Sequence, residues 1–358
     1  MKRHFYIDIH VIQTLPPSCV NRDDTGSPKT AVYGGVERAR ISSQSWKRAM
    51  REYFKDIFAP EQLGSRTKHI PEVLAAEIME LSPEMNVEKA NKAALAVLKT
   101  IGIKLDEKKN QNSALFFISN QQLKALAALA VGGKADKNAY KNAMKEHPSF
   151  DIVLFGRMAA DDPDLNYDAA SQVAHAISTH AVHTEYDYFT AVDDGQKDDQ
   201  SGAGHLGTVE FNSATIYRYA TLNVSELVKN IGNDTAKVVR GFAEAFVRSM
   251  PTGKQNTFAN RTLPDMVYVT VRGDQPVNFS GAFESAVRND KDGYAVKSCK
   301  ALLAYADKLC SSFADAPELA LGCGDADILS GNADILSLQA LLDRLESYTA
   351  EHCGEVEE

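Results

Sequence analysis

The sequence predicts a mixed α+β fold built on a split βαβ core, with a helical insertion and a protruding hairpin. Three observations carry this. Strand-like alternation occurs near the N-terminus, from about residue 215 and around 267–271. Amphipathic helices at about 42–55 and 234–250 lie between these strands. Residues 72–146, rich in Ala, Leu, Lys and Glu, interrupt the pattern and read as several helices.

The elements follow in order. Phe5, Ile7, Ile9 and Val11 alternate with His4, Tyr6, Asp8 and His10, which predicts a half-buried strand. A loop with Pro16-Pro17, Asp24-Thr25-Gly26 and Pro28 follows, and Gly34-Gly35 is read as the end of that loop. A helix to about Lys55 begins at Ser42 or Ser43, either of which can cap its free amides. Trp46, Met50 and Tyr53 recur at helical spacing and anchor it to a core.

In the insertion Leu123, Leu126, Leu129 and Ala130 form an apolar stripe that Gly132-Gly133 breaks. The next helix, about 135–146, sets Lys137, Lys141 and Lys145 on one face, where like charges repel. Residues 150–158 read as a buried strand ending in Gly156-Arg157-Met158, and 168–183 as a helix with its exit. Glu185 to Asp194, a glycine-dotted polar tip (195–204) and Thr208-Val209-Glu210-Phe211 predict a long hairpin. Its tip is too poor in apolar groups to hold itself down, so mobility in the free chain is expected. From Thr215, Ile216, Ala220, Leu222 and Val224 share one face, and Tyr217, Tyr219 and Thr221 the other. After the helix at 234–250 come a loop with Lys254 and Gln255 and a strand marked by Val267, Val269 and Val271.

The 358 residues, 44% hydrophobic, suffice for one large domain or two to three small ones. No apolar run approaches the roughly 18 residues of a membrane span. Met1-Lys2-Arg3-His4 leads straight into the first strand, so no leader is expected. Cys19, Cys299, Cys310, Cys323 and Cys353 form no CxxC pair, which fits reduced thiols and a cytoplasmic location. The net charge of −9 argues against a polyanion partner at first sight. Its distribution weakens that objection: residues 311–358 hold eleven acids and one base, while residues 1–55 hold ten Lys or Arg against five acids.

Single-stranded RNA needs cations for phosphates and apolar plates for bases. Arg22, Lys29, Lys47 and Arg51 supply cations, and the helix start adds amides with the Ser42 and Gln44 side chains. Met158, Phe189 and Val192 supply plates. His175, His180 and His183, near Asp187, Asp193 and Asp194, fit no recognised ligand spacing and are read as buried or interface histidines rather than a metal site. No P-loop or nucleophile motif occurs, and no cofactor is expected. Asp23 or Asp24 remains a candidate for positioning a water or metal beside a nucleic-acid backbone.

Several ordered motifs carry a family resemblance. Pro17-Ser18-Cys19-Val20-Asn21-Arg22-Asp23-Asp24, Arg40-Ile41-Ser42-Ser43-Gln44-Ser45 and Lys47-Arg48-Ala49-Met50-Arg51 resemble CasC, the backbone subunit of the type I-E CRISPR surveillance complex, Cascade. The resemblance continues in Gly156-Arg157-Met158-Ala159, Ala174-His175-Ala176-Ile177-Ser178-Thr179-His180, Tyr188 to Asp194, His205-Leu206-Gly207-Thr208 and Pro264-Asp265-Met266-Val267. It fades over about 60–150 and in the C-terminal tail.

The resemblance implies a modified ferredoxin-like, RRM-type palm (1–58 and 174–310), a mainly helical fingers insertion (59–173), a thumb hairpin (186–213) and an acidic C-terminal segment (311–358). It implies a non-catalytic scaffold that polymerises head-to-tail along guide RNA beside other Cascade subunits and presents the guide for pairing with target DNA. The RNA-lining positions would be those named above together with Thr190, Lys254 and Gln255. Phe189, Thr190, Val192 and Met158 would press on the guide and push out a base at intervals, while Lys137, Lys141 and Lys145 would meet target DNA. In related type III subunits a loop aspartate cuts bound target RNA. The alternative is therefore a guide-directed, metal-dependent endoribonuclease using Asp23 or Asp24.

Overall fold

The computed structural model describes residues 4–106, 108–133, 136–159, 162–191, 205–289 and 293–355. The chain divides into two compact units: Met1–Met50, Val173–Leu222 and Phe242–Glu357 form the first, and Arg51–Gln172 with Asn223–Gly241 the second. The mixed α+β class is as the sequence predicts.

The first unit is organised on one large sheet. Towards one edge its strands run in the order Met266–Arg272, Tyr6–Ser18, His205–Asn223, Ala176–Ser178, Val36–Ile41 and Thr30–Tyr33. Numbering the first four by chain position gives fourth, first, third, second, an order compatible with the split βαβ core. Leu319–Gly324 extends the sheet beyond Met266–Arg272, so residues from the acidic segment lie within the fold.

The first strand is longer than its alternation suggests and is buried on both faces. Gln13, on the odd-numbered face, accepts from Arg218 Nη1 at 2.6 Å, and the Arg218 guanidinium lies 3.8 Å from the ring of fully buried Trp46. Burial pushes the Arg218 pKa down to about 9. On the even face Ile12 joins Tyr217, Tyr219, Phe279, Leu302 and Leu303, the last two from helix Ala295–Cys310. Asp8 and His10, expected at a polar surface, are enclosed there: His10 stacks on Phe279 at 4.2 Å and bonds Tyr217 Oη at 2.8 Å. A helix over each face leaves no polar side, a possibility that alternation alone does not reveal.

Three expectations are corrected. Gly34-Gly35 ends no loop; it turns the hairpin Thr30–Tyr33/Val36–Ile41 with φ of 59° and 77° at the two glycines, as a two-residue turn requires. Residues 168–183 hold short strands, Ser171–Val173 and Ala176–Ser178, instead of a helix, because Ile177 pairs with Arg40 on one side and Tyr217 on the other. The run at 150–158 is helix Phe150–Phe155 ending at Gly156, whose φ is 76°. A short apolar run fits either structure.

The second unit is mainly helical: Ile70–Leu81, Val87–Thr100, Asn120–Gly132, Lys137–Lys145, Phe150–Phe155 and Val224–Ile231. Asn86 caps the second of these, and Ser119 with Gln122 forms a capping box on the third. Leu74, Ile78, Ala94, Leu98, Leu123, Leu126 and Met144 build its core. Arg157 is buried within it and donates to the carbonyls of Leu165, Phe117 and Met144 at 2.8, 3.2 and 3.0 Å. No helix of the described residues is long and apolar enough to cross a membrane.

Candidate nucleic-acid interface

The loop after the first strand is fastened to the start of helix Ser43–Phe54. Asn21 Oδ1 accepts the Ser42 amide at 2.8 Å, and the Asn21 carbonyl accepts the Lys29 amide at 2.8 Å. Of the two candidate hydroxyls, Ser42 caps the helix: its Oγ accepts the Ser45 amide at 3.4 Å. Gln44 and Arg22 are exposed, and Lys29 is half-buried.

Asp23 closes its own turn. Its Oδ1 accepts the Thr25 hydroxyl at 2.7 Å, the Thr25 amide at 2.9 Å and the Ser27 amide at 3.0 Å. The Thr25 hydroxyl first, and then the amides of that turn, hold its carboxyl below the usual carboxylate range. Asp24 is exposed beside it.

Lys254 arrives from a distant segment of the same unit. Gly253 passes so close to the loop that a Cβ would overlap the Val20 carbonyl oxygen. Lys254 then takes φ of 52°, and Ala259 takes 48°, so two non-glycine residues in the left-handed region bracket the short helix Gln255–Phe258. Burial pushes the Cys19 pKa up; of the charges around it, Arg22 and Lys254 pull it down while Asp23 and Glu210 push it up. The Gly253 approach thus brings the Lys254 segment beside the loop that carries Arg22. Gln255 is exposed.

Lys47 is half-buried, and burial lowers its pKa. Arg51 departs from the expectation of an open phosphate contact. Within the helical unit its Nε lies 3.2 Å from Asp151 Oδ2, and its guanidinium lies over the Phe117 ring at 4.4 Å. Its charge is already matched, and Asp151 also accepts from Ser149 Oγ and the Gly64 amide.

The expected plates belong to both units. Met158, in the helical unit, is 83% exposed. Phe189 lies on strand Glu185–Ala191, paired with His205–Asn223 in a hairpin; its ring lies across Gly207, where a Cβ would overlap it. Thr190 is exposed on the same strand. Val192, the tip 195–204, Asp193 and Asp194 lie outside the described residues.

Of the three stripe lysines, Lys137 and Lys145 are exposed. Lys141 instead bonds Asp162 at 2.6 Å and Asp164 at 2.9 Å, which raises its pKa. The stripe is thus two open cations around a neutralised one.

The histidines do not converge on a metal. His180 is buried, with Nδ1 2.8 Å from the Ala181 carbonyl oxygen and Nε2 accepting the Thr215 amide at 3.0 Å, so both nitrogens are engaged. Among the described residues no group of three His, Cys, Asp or Glu could hold a metal ion. His175 contacts Arg40 at 3.2 Å. Neither was named as a contact from the sequence, although Arg40 begins a motif that was singled out.

A family model described as CT1975-like protein matches residues 7–347. No curated protein matches the chain. Among solved structures, a chain of a "CRISPR RNA-guided surveillance complex, pre-nicking" is 34% identical with a TM-score of 0.83, over 96% of this chain and 100% of that one. A chain of a "CRISPR RNA-guided surveillance complex" is 31% identical with a TM-score of 0.63, over 96% and 99%.

Proposed function

The chain belongs to the CT1975-like protein family, and from that premise we propose that it is a guide-RNA-binding backbone subunit of a CRISPR surveillance complex. It carries no catalysis in this reading. Copies assemble head-to-tail along the guide beside other Cascade subunits, in the cytoplasm, and present the guide for pairing with target DNA. The palm, fingers and thumb assignments belong to the same proposal.

The observation that carries it is the close approach of Gly253, which precedes Lys254, to the Cys19-Val20 backbone of the loop that bears Arg22, next to a capped helix start, on a chain whose overall charge is acidic. Two left-handed residues hold the Lys254 segment in that place. Cations gathered against the global sign of charge suit a polyanion.

The test is single-stranded RNA binding by Arg22→Glu and Lys254→Glu across several sequences. Both variants are expected to weaken binding uniformly, since phosphate contacts carry no base code. Affinity equal to wild type in both would overturn the reading. The non-catalytic part is tested with assembled protein, guide, complementary labelled RNA and Mg²⁺. Regular cutting that disappears in Asp24→Ala would replace the scaffold with a guide-directed ribonuclease.

A further inference from the structure

We propose that Lys29, Arg40 and His175 form a row that grips a phosphate of single-stranded RNA near the edge of the large sheet. The proposal rests on the RNA-binding reading above and adds two residues, Arg40 and His175, to it.

The row follows from register. The hairpin ladder pairs Thr30 with Ala39, and the Arg40 amide donates to the Lys29 carbonyl at 2.8 Å, so Lys29 lies opposite Arg40. The next ladder pairs Arg40 with Ile177 and Ile41 with Ala176, which sets His175 opposite Ser42. Side chains alternate along strands, so Lys29, Arg40, Ser42 and His175 share one face.

Two like charges directly across a ladder destabilise it. The structure gives neither Lys29 nor Arg40 an ion-pair partner among the described residues. Burial, then Arg40, then Lys29 lower the His175 pKa, and no acid offsets them. The two charges that act on His175 are thus both cations.

The Arg40–His175 contact also fixes a proton. Arginine has no acceptor, so at 3.2 Å Arg40 Nη1 donates to His175 Nδ1. The imidazole is then neutral with its hydrogen on Nε2, a donor left for a ligand. Guanidinium, ammonium and imidazole N–H on one face, whose single ring acceptor is already taken by Arg40, match an anion with several oxygens. A phosphodiester is such an anion, and the capped helix beside His175 favours the same sign of charge.

The experiment measures binding of full-length protein to a uridine homopolymer over a salt series, for wild type, Arg40→Met, His175→Ala and His175→Gln. Arg40→Met is expected to weaken binding about tenfold and to flatten the logarithmic salt slope by about 0.7, the value for one single-strand phosphate contact. His175→Ala is expected to weaken binding about threefold with the slope unchanged, because a neutral imidazole releases no counterion. His175→Gln is expected to restore binding, its amide nitrogen standing in for Nε2. Thermal melting accompanies each measurement; Arg40→Met removes the opposed cation but also the Nε bond to the Thr30 carbonyl at 3.2 Å, so it is expected to remain fully folded at the temperature of the binding measurement. Wild-type binding that Arg40→Met and His175→Ala leave unchanged would overturn the row alone. Unfolding of Arg40→Met at that temperature that tracks its loss of binding would make Arg40 structural and would also overturn the row. Wild-type protein that fails to bind the polymer would remove the RNA reading and the row with it.

Discussion

Replacing Asp8 by Asn is expected to stabilise the sheet unit above neutral pH and to remove part of its pH dependence. Asp8 is fully buried. Its Oδ1 accepts the Tyr219 hydroxyl at 2.8 Å and its Oδ2 the Val277 amide at 2.8 Å. Burial pushes its pKa from 3.8 up to about 6; the bonds from Val277 and Tyr219 and the attraction of Arg272 oppose this without cancelling it. The folded state therefore holds a proton that the unfolded chain has released. The stability this provides is fully present below the unfolded pKa and is lost as pH rises through the folded one. At about 1.4 kcal/mol per tenfold change in proton affinity, the loss comes to about 3 kcal/mol. Asparagine keeps an oxygen for the Val277 amide, offers an N–H to the Tyr219 oxygen, and has no charge to desolvate.

Trp46 makes the measurement selective. It is the chain's single tryptophan, 1% exposed, and lies in the same compact unit as Asp8. Urea unfolding followed by its fluorescence, from about pH 4 to about pH 8, gives the stability of both proteins, provided a second probe reports the same transition. The gap in favour of Asp8→Asn should widen by about 2.5 kcal/mol across this range, the lower end of which already lies just above the unfolded pKa, and level off above the folded one. A gap independent of pH would refute the argument, as would an Asp8→Asn protein less stable than wild type at the alkaline end.

Lys47→Gln should weaken RNA binding for all sequences and lower the salt slope by about 0.7, and an unchanged slope would remove Lys47 from the site. Lys137→Ala with Lys145→Ala should slow target-DNA association in gel shifts while leaving guide loading and the melting temperature intact. Lys141→Ala should instead lower the melting temperature, because it releases Asp162 and Asp164. Phe189→Ala with Val192→Asp should leave a folded monomer that forms no ordered multimers on RNA; multimers of normal length in size-exclusion chromatography would sink the thumb reading.

Where local pattern decides structure, the chain could be read directly. The capped helix with Trp46 and Met50 inward, the Leu123–Leu126 stripe ending at Gly132, the hairpin and the Val267–Val271 strand each rest on contacts near in sequence or on a face wide enough to fix a period. Asp8 and His10 were misread because their burial depends on helix Ala295–Cys310 and the segment at 279–283, which no pattern in the first strand reports. Arg51 and Lys141 read as open cations in the sequence because their acids, Asp151 and Asp162, arrive through folding. A charge run shows where cations are and not which of them already have a partner.

The Lys29–Arg40–His175 row shows how one wrong element hides a site. Reading 168–183 as a helix removes the strand that carries Ile177, and with it the ladder that brings His175 beside the helix start. Reading Gly34-Gly35 as the end of a loop likewise removes the hairpin that sets Lys29 against Arg40. All three residues stood in or beside motifs already singled out, so their chemistry was visible. What was missing was adjacency, which register supplies and a helical or loop reading cannot. A strand segment of three residues has too few alternations to betray its period, so Ala176–Ser178 becomes recognisable only once its two neighbours are in place. Cations that look scattered along such a chain come to share one face through the pairing of a three-residue strand.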